Sequence, residues 1–209
     1  MTADFLLTDS FIRASLDDLA NRHKAIERAV CRVGYPVSRR WSHSFGSLAR
    51  IVIGQQLSTT AAEAIWGRLC DVLAEMSPEA LLDATPDRLH TAGLSKRKIE
   101  YLTGLAQAVL ADELCLDKLP QMPDDVVLEK ITAVRGFGHW SADMYLIFAL
   151  GRPDIWPAGD LAVRLGFGEI MGWNSRPEER QVAAAGRTFT PYRSALALLC
   201  WRLYGEAVL

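Results

Sequence analysis

Three short stretches combine residue types and spacings that could do chemistry. In Val134-Arg-Gly-Phe-Gly-His-Trp-Ser-Ala142, two glycines two apart lie between two amphipathic segments. A turn this tight presents backbone N–H groups at a helix N-terminus, where donors and dipole favour an anion such as phosphate. It is also what any helix–turn–helix corner needing glycine would look like. In Trp156-Pro-Ala-Gly-Asp160-Leu-Ala-Val-Arg164, proline and glycine set an extended approach and Asp160 falls where a helix begins. Asp160 can cap that helix, and a capping carboxylate can also be aimed into a cleft to do chemistry. In Ile51-Val-Ile-Gly-Gln-Gln-Leu-Ser58, a glycine and two glutamines interrupt an apolar run. Buried amides must find partners, so Gln55 and Gln56 belong at a surface or a cleft.

The elements that must position these residues are helices. No stretch alternates with period two, whereas helical punctuation is frequent. Ser10 is expected to cap a first helix, and Gly34-Tyr-Pro36 to break the chain after the N-terminal region. A helix is expected near 45–54, and Thr60-Ala-Ala-Glu63 has the spacing of a capping box for the next. Ser77-Pro78 and Thr85-Pro86 put proline at the first position of two short helices. Ser95 and Pro123-Asp-Asp125 open two more, Gly151 with Pro153 ends the one after, and Thr190-Pro191 opens the last. The expectation is an all-α protein of two helical lobes with a cleft between them: 45–150 as a contiguous lobe, and 1–44 plus 151–209 as the second.

Composition limits the functions. The chain has 209 residues, half of them hydrophobic, and a formal net charge of −2. A generally basic coat for nucleic acid is excluded, so affinity for a polyanion has to be local. The longest apolar runs, 144–150 and 195–201, are far short of the ~20 residues that span a bilayer. No signal-peptide pattern opens the chain, and Cys31, Cys70, Cys115 and Cys200 are too scattered for a zinc or iron–sulfur motif. A cytosolic protein with reduced thiols is expected.

Taken together, GQQLSTTAAEAIWGRL, AGLSKRKIEYL, VRGFGHWSADMYLIFALGRPDIWPAGD and TPYRSALALLCW resemble the helix-hairpin-helix DNA glycosylases. The branch is that of 3-methyladenine DNA glycosylase II. The similarity runs from about residue 40 to 205, with Asp160 placed 22 residues after Gly138. It implies a short form without the β-rich N-terminal domain of longer members. It also implies a hairpin, Gly136-Phe137-Gly138, that holds double-stranded DNA by its main chain, with Arg135 and His139 beside it. Thr132, Val134 and Phe137 would offer carbonyls to a Na+ or K+ ion; no other cofactor and no iron–sulfur cluster is implied. Asp160 corresponds to the catalytic aspartate and Gln56 to the wedge that fills the gap of a flipped base, with Gln55 supporting it. Trp201 corresponds to a tryptophan that stacks on the base, although its place on an apolar helix equally allows a core role. Trp140 and Met144 are further pocket candidates, and Lys96-Arg97-Lys98 a further phosphate contact.

One substitution bears on mechanism. Members that also cut the strand carry a lysine two residues after the second hairpin glycine, and this chain has Trp140 there. The implied enzyme is a monomeric, monofunctional glycosylase that removes alkylated purines of the 3-methyladenine and 7-methylguanine type. Arg135 stands where the hairpin usually has proline and Met144 where some members have a pocket aromatic. Those changes leave base preference open. The alternatives are a glycosylase for neutral lesions (hypoxanthine, ethenoadenine, uracil), a non-catalytic DNA-binding hairpin protein, and a helical interaction scaffold.

Overall fold

The computed structural model describes residues 4–205, and among them there are helices and no strands. Asp9–Arg22 (α1) and Lys24–Val33 (α2) come first. Phe45–Gly54 (α3), Thr59–Val72 (α4), Pro78–Asp83 (α5), Pro86–Thr91 (α6) and Lys96–Leu110 (α7) follow. A 3₁₀ turn at Leu116–Gln121 leads to Asp124–Ala133 (α8) and His139–Phe148 (α9). Leu161–Met171 (α10), Glu179–Gly186 (α11) and Arg193–Tyr204 (α12) complete the chain. The all-α expectation is met.

Side-chain caps set most of these starts. Ser77, Thr85 and Ser95 accept from Ala80 N, Arg88 N and Lys98 N, and Pro78 and Pro86 occupy first-turn positions where a missing N–H costs nothing. Three expected starts shift. Thr8, not Ser10, caps α1, and Ser58, not Thr60, caps α4, because in each case an earlier hydroxyl reaches the third amide along. The last helix opens at Arg193, after a 3₁₀ turn at Arg187–Phe189, and not at Thr190-Pro191.

The chain divides into two compact units. Among the described residues, one is Trp41–Tyr145 and the other joins Asp4–Arg40 to 146–205. The boundary therefore falls inside α9. Residues 1–3 and 206–209 of the expected second lobe lie outside the described residues.

In the first unit, Leu48, Ile51, Val52 and Ile53 of α3 are buried, as are Leu69, Leu102, Leu105, Val127 and Ile131. Every residue of α3 except Arg50 is buried, so this helix runs through the interior. His43 ties the unit further: its Nε2 meets the Leu116 carbonyl at 2.9 Å and its Nδ1 meets the hydroxyl of fully buried Tyr145 at 2.8 Å. A carbonyl only accepts, so Nε2 carries the proton and Nδ1 accepts from tyrosine. Burial lowers the pKa of His43, against the opposing pull of the Leu116 carbonyl and Asp117.

In the second unit, α10 and α12 cross in backbone contact. A Cβ on Gly166 would lie 2.4 Å from the Cys200 carbonyl oxygen, so only glycine permits this approach. Residues 194–201 of α12 are all buried, as expected for a helix apolar on every side.

Candidate active site and DNA-binding hairpin

The chain into Asp160 is fixed before the helix begins. Asp154 receives Arg193 Nε on Oδ1 and Nη2 on Oδ2, each at 2.8 Å. Ser194, fully buried, donates to the Arg152 carbonyl at 2.7 Å and accepts from Ile155 N at 2.8 Å. Trp156 then donates its indole N–H to the Val182 carbonyl, with its ring against Gly186. A short turn follows, in which Ala158 N reaches Trp156 O and Asp160 N reaches Pro157 O. Neither Asp154, Arg193 nor Ser194 stood out as functional in the sequence; the GRPDIW stretch carried the first and TPYRSA the other two, without showing which loop they hold.

Asp160 is the N-cap of α10, its Oδ1 accepting from Val163 N at 2.9 Å. The same Oδ1 accepts the indole N–H of Trp201 at 2.9 Å. Trp201 is 3% exposed and leans on Phe148, ring centroids 5.5 Å apart and planes 33° from parallel. The open choice between a stacking and a core tryptophan therefore has a third term: Trp201 is buried and orients the carboxylate. Charge-assisted bonds of this kind are roughly twice as strong as neutral ones. Burial beside Asp160 also pushes the Cys200 thiol well up, keeping it protonated.

The hairpin lies in the other unit. Val134 N closes on Ile131 O and Phe137 N on Val134 O, turning the chain between α8 and α9. Phe137 is buried and anchors the turn, while Gly138 and His139 are exposed. The two glycines differ in kind. Gly136 has φ +99°, and a Cβ there would sit 2.3 Å from the Tyr101 ring. Gly138 has open space around its Cβ position and no such φ, so nothing within the chain requires glycine there.

The expected glutamine loop joins this hairpin. Gln55 Nε2 donates to the Gly136 carbonyl at 2.9 Å and to Ser141 Oγ at 3.3 Å. Gln56 is exposed with φ 59°, and the next residue, Leu57, is an exposed apolar side chain that the sequence did not single out. Arg135 projects with 81% of its side chain exposed, 3.6 Å from Glu100, and Lys96 and Arg97 are exposed at the start of α7.

Two expected site residues sit elsewhere. Met144 is fully buried and presents no surface to a base, so it is a core residue of α9. Lys98 turns inward, its Nζ 2.5 Å from Ile53 O and 3.1 Å from Gln55 O, rather than out toward phosphate. Two backbone carbonyls there replace the water that an exposed ammonium would keep. Trp140, half-buried in the first turn of α9, keeps partial exposure. Thr132 bonds its hydroxyl back to Leu128 O and Glu129 O at the end of α8.

Residues 49–191 match the HhH-GPD superfamily of base excision DNA repair proteins, and the chain belongs to that family. It is 29% identical over 162 residues to DNA-3-methyladenine glycosylase 1 of Schizosaccharomyces pombe, covering 76% of this chain and 71% of that protein. Among solved structures it is similar to the S. pombe 3-methyladenine DNA glycosylase in complex with abasic DNA. That match has TM-score 0.80 and 27% identity, over 91% of this chain and 95% of that one. A DNA-3-methyladenine glycosidase from Bacillus halodurans is also similar, with TM-score 0.79 and 28% identity over 91% and 89% of the two chains.

Proposed function

We propose that the protein is a monofunctional DNA glycosylase of base excision repair that hydrolyses the N-glycosidic bond of alkylated purines, 3-methyladenine and 7-methylguanine in particular. The observation that carries this reading is the Asp160 carboxylate held on one oxygen by both Val163 N and the Trp201 indole. Cleavage passes through an oxocarbenium-like sugar, and a fixed carboxylate stabilises the charge that develops only there. The alkylated base carries a positive charge and leaves neutral, so departure needs no strong general acid. Water then adds to the sugar, Asp160 receiving its proton or orienting it, and an abasic site remains.

The target base must leave the duplex first, at a cost of a few kcal/mol that damage lowers. Gln56, with exposed Leu57 beside it, supplies the wedge, and the half-buried Trp140 offers an aromatic face to the extruded base. The absence of an amine at Trp140 supports hydrolysis without strand cleavage, since no Schiff base can form there. Double-stranded DNA is engaged by one copy of the chain, through Gly136–His139 and the cations of Arg135, Lys96 and Arg97. A sodium or potassium ion would suit the carbonyls of Thr132, Val134 and Phe137. These are hard oxygen donors at or just beyond the negative end of α8, and the ion would stiffen the hairpin.

The test is incubation with duplexes bearing each methylated purine, scoring free base and strand breaks separately. Free base without breaks is expected, and Asp160→Asn should release base about a hundred- to a thousand-fold more slowly. Unchanged release by that variant would sink the reading.

A further inference from the structure

Lys98 differs from the two basic residues before it. Lys96 and Arg97 are exposed, whereas Lys98 is half-buried with its ammonium on the carbonyls of Ile53 and Gln55. These carbonyls belong to the C-terminal end of α3, where helix acceptors lack intrahelical donors and the dipole is negative. Loss of water around the ammonium lowers its pKa.

The same turn is held from a second side. The Gln55 side chain, whose own carbonyl Lys98 holds, donates to Gly136 O and Ser141 Oγ of the hairpin. Just beyond lie Gln56, in the left-handed region at φ 59°, and Leu57, both exposed. A non-glycine residue persists in that conformation when its surroundings over-determine it. Here two anchors, one ionic and one amide, do so.

We propose that Lys98 is a positioning residue for base extrusion: with Gln55 it makes the 55–57 turn and the 136–138 hairpin one stiff body. A hairpin that grips DNA backbone then places Gln56 and Leu57 at a fixed register along the duplex. A loose turn would have to be ordered during insertion, adding its conformational entropy to the unstacking of the base. The inference rests on the base-flipping reading above, and assigns to Lys98 a part separate from phosphate binding.

The test uses the full chain with Lys98→Met, which keeps the apolar stem and removes the donors, and with Lys98→Arg. A duplex carrying 2-aminopurine beside the target reports extrusion by the fluorescence gained on unstacking. Lys98→Met is expected to cut the extrusion rate and single-turnover base release on duplex by about ten- to a hundred-fold. Affinity for undamaged duplex and its salt slope should hold, release from a methylated single strand should change little, and Lys98→Arg should restore extrusion. If Lys98→Met instead left extrusion per bound complex intact and made the salt slope shallower by about one, Lys98 would be a phosphate contact and the proposal overturned. No change in any of these would overturn it equally. Should Lys98→Met fail to fold, Gln55→Leu cuts the other anchor and should lower extrusion in the same way; normal extrusion in that variant refutes the stiff body. A native protein that extrudes without releasing base refutes the glycosylase reading alone, and one that never extrudes refutes this inference.

Discussion

Two turns in this molecule use one backbone device in opposite ways. The turn at 134–138 and the turn at 156–160 each deliver a helix N-terminus, α9 and α10 respectively. At the first, Gly138 O accepts the opening helix bond from Ala142 N, and glycine has no side chain with which to cap the first-turn amides. At the second, Asp160 caps with its own carboxylate and is thereby aimed. The same partial positive charge would suit an outside anion in one case and fixes an inside carboxylate in the other. The supports differ accordingly. The hairpin is exposed and rests on Phe137 and Tyr101, while the aspartate turn is held by Arg193, Ser194, Trp156 and Trp201, in or against the buried crossing of α10 and α12.

The sharpest way to break this contrast is Trp201→Phe, which keeps the ring against Phe148 and deletes the donor to Asp160. A hydrogen bond to a charged group contributes about 1.5–3 kcal/mol, so kcat for base release should fall about ten- to a hundred-fold. Single-turnover rates against thermal melting check that the loss is in chemistry and not in folding. A purely structural tryptophan would show the reverse.

Next in size is the glycine pair. Gly136→Ala must strain a φ of +99° and meet the Tyr101 ring, and should lower stability by about 1–3 kcal/mol in urea titration. Gly138→Ala meets nothing and should stay within about 0.5 kcal/mol of the native protein. Its deficit should appear in DNA binding, if the open glycine exists to admit phosphate. Equal stability losses at the two positions would erase the distinction.

Arg135→Ala should weaken binding to all duplexes alike and reduce the salt slope by about one, with base release from bound complex unchanged. Its ion pair with Glu100 is exposed on both sides, so folding should barely register the change.

The smallest effect concerns acid. His43 is neutral in the fold and its pKa lies below the ordinary 6.5. Its contribution to stability is full above about pH 6.5 and fades as pH falls from there through the lowered folded value, because the unfolded chain then binds the extra proton. Melting temperature between pH 7.5 and 5.5 should drop more for the native protein than for His43→Gln.

Much of this was legible in the residues. Ser77-Pro78, Thr85-Pro86 and Ser95 announced their helices because capping is local chemistry that needs only three or four neighbours. Asp160 as a helix start was legible for the same reason. Lys98 was not: a lysine in a basic triplet looks like surface until another helix brings carbonyls to it from 43 and 45 positions away. Met144 was a pocket candidate through the family resemblance, and neither that nor helical spacing reveals which face is enclosed.

By itself, then, the sequence determined an all-helical chain, the two turns that start α9 and α10, and Asp160 as the cap of the second. Those rest on hydrogen bonds and dihedral preferences spanning a few residues. Only the tertiary structure decided that Trp201 orients Asp160, that Gly166 permits α10 and α12 to cross in backbone contact, and that Lys98 and Gln55 bind one turn to the hairpin. Each of these joins groups more than 30 positions apart, and the distance between such groups is set by packing, which no local pattern encodes.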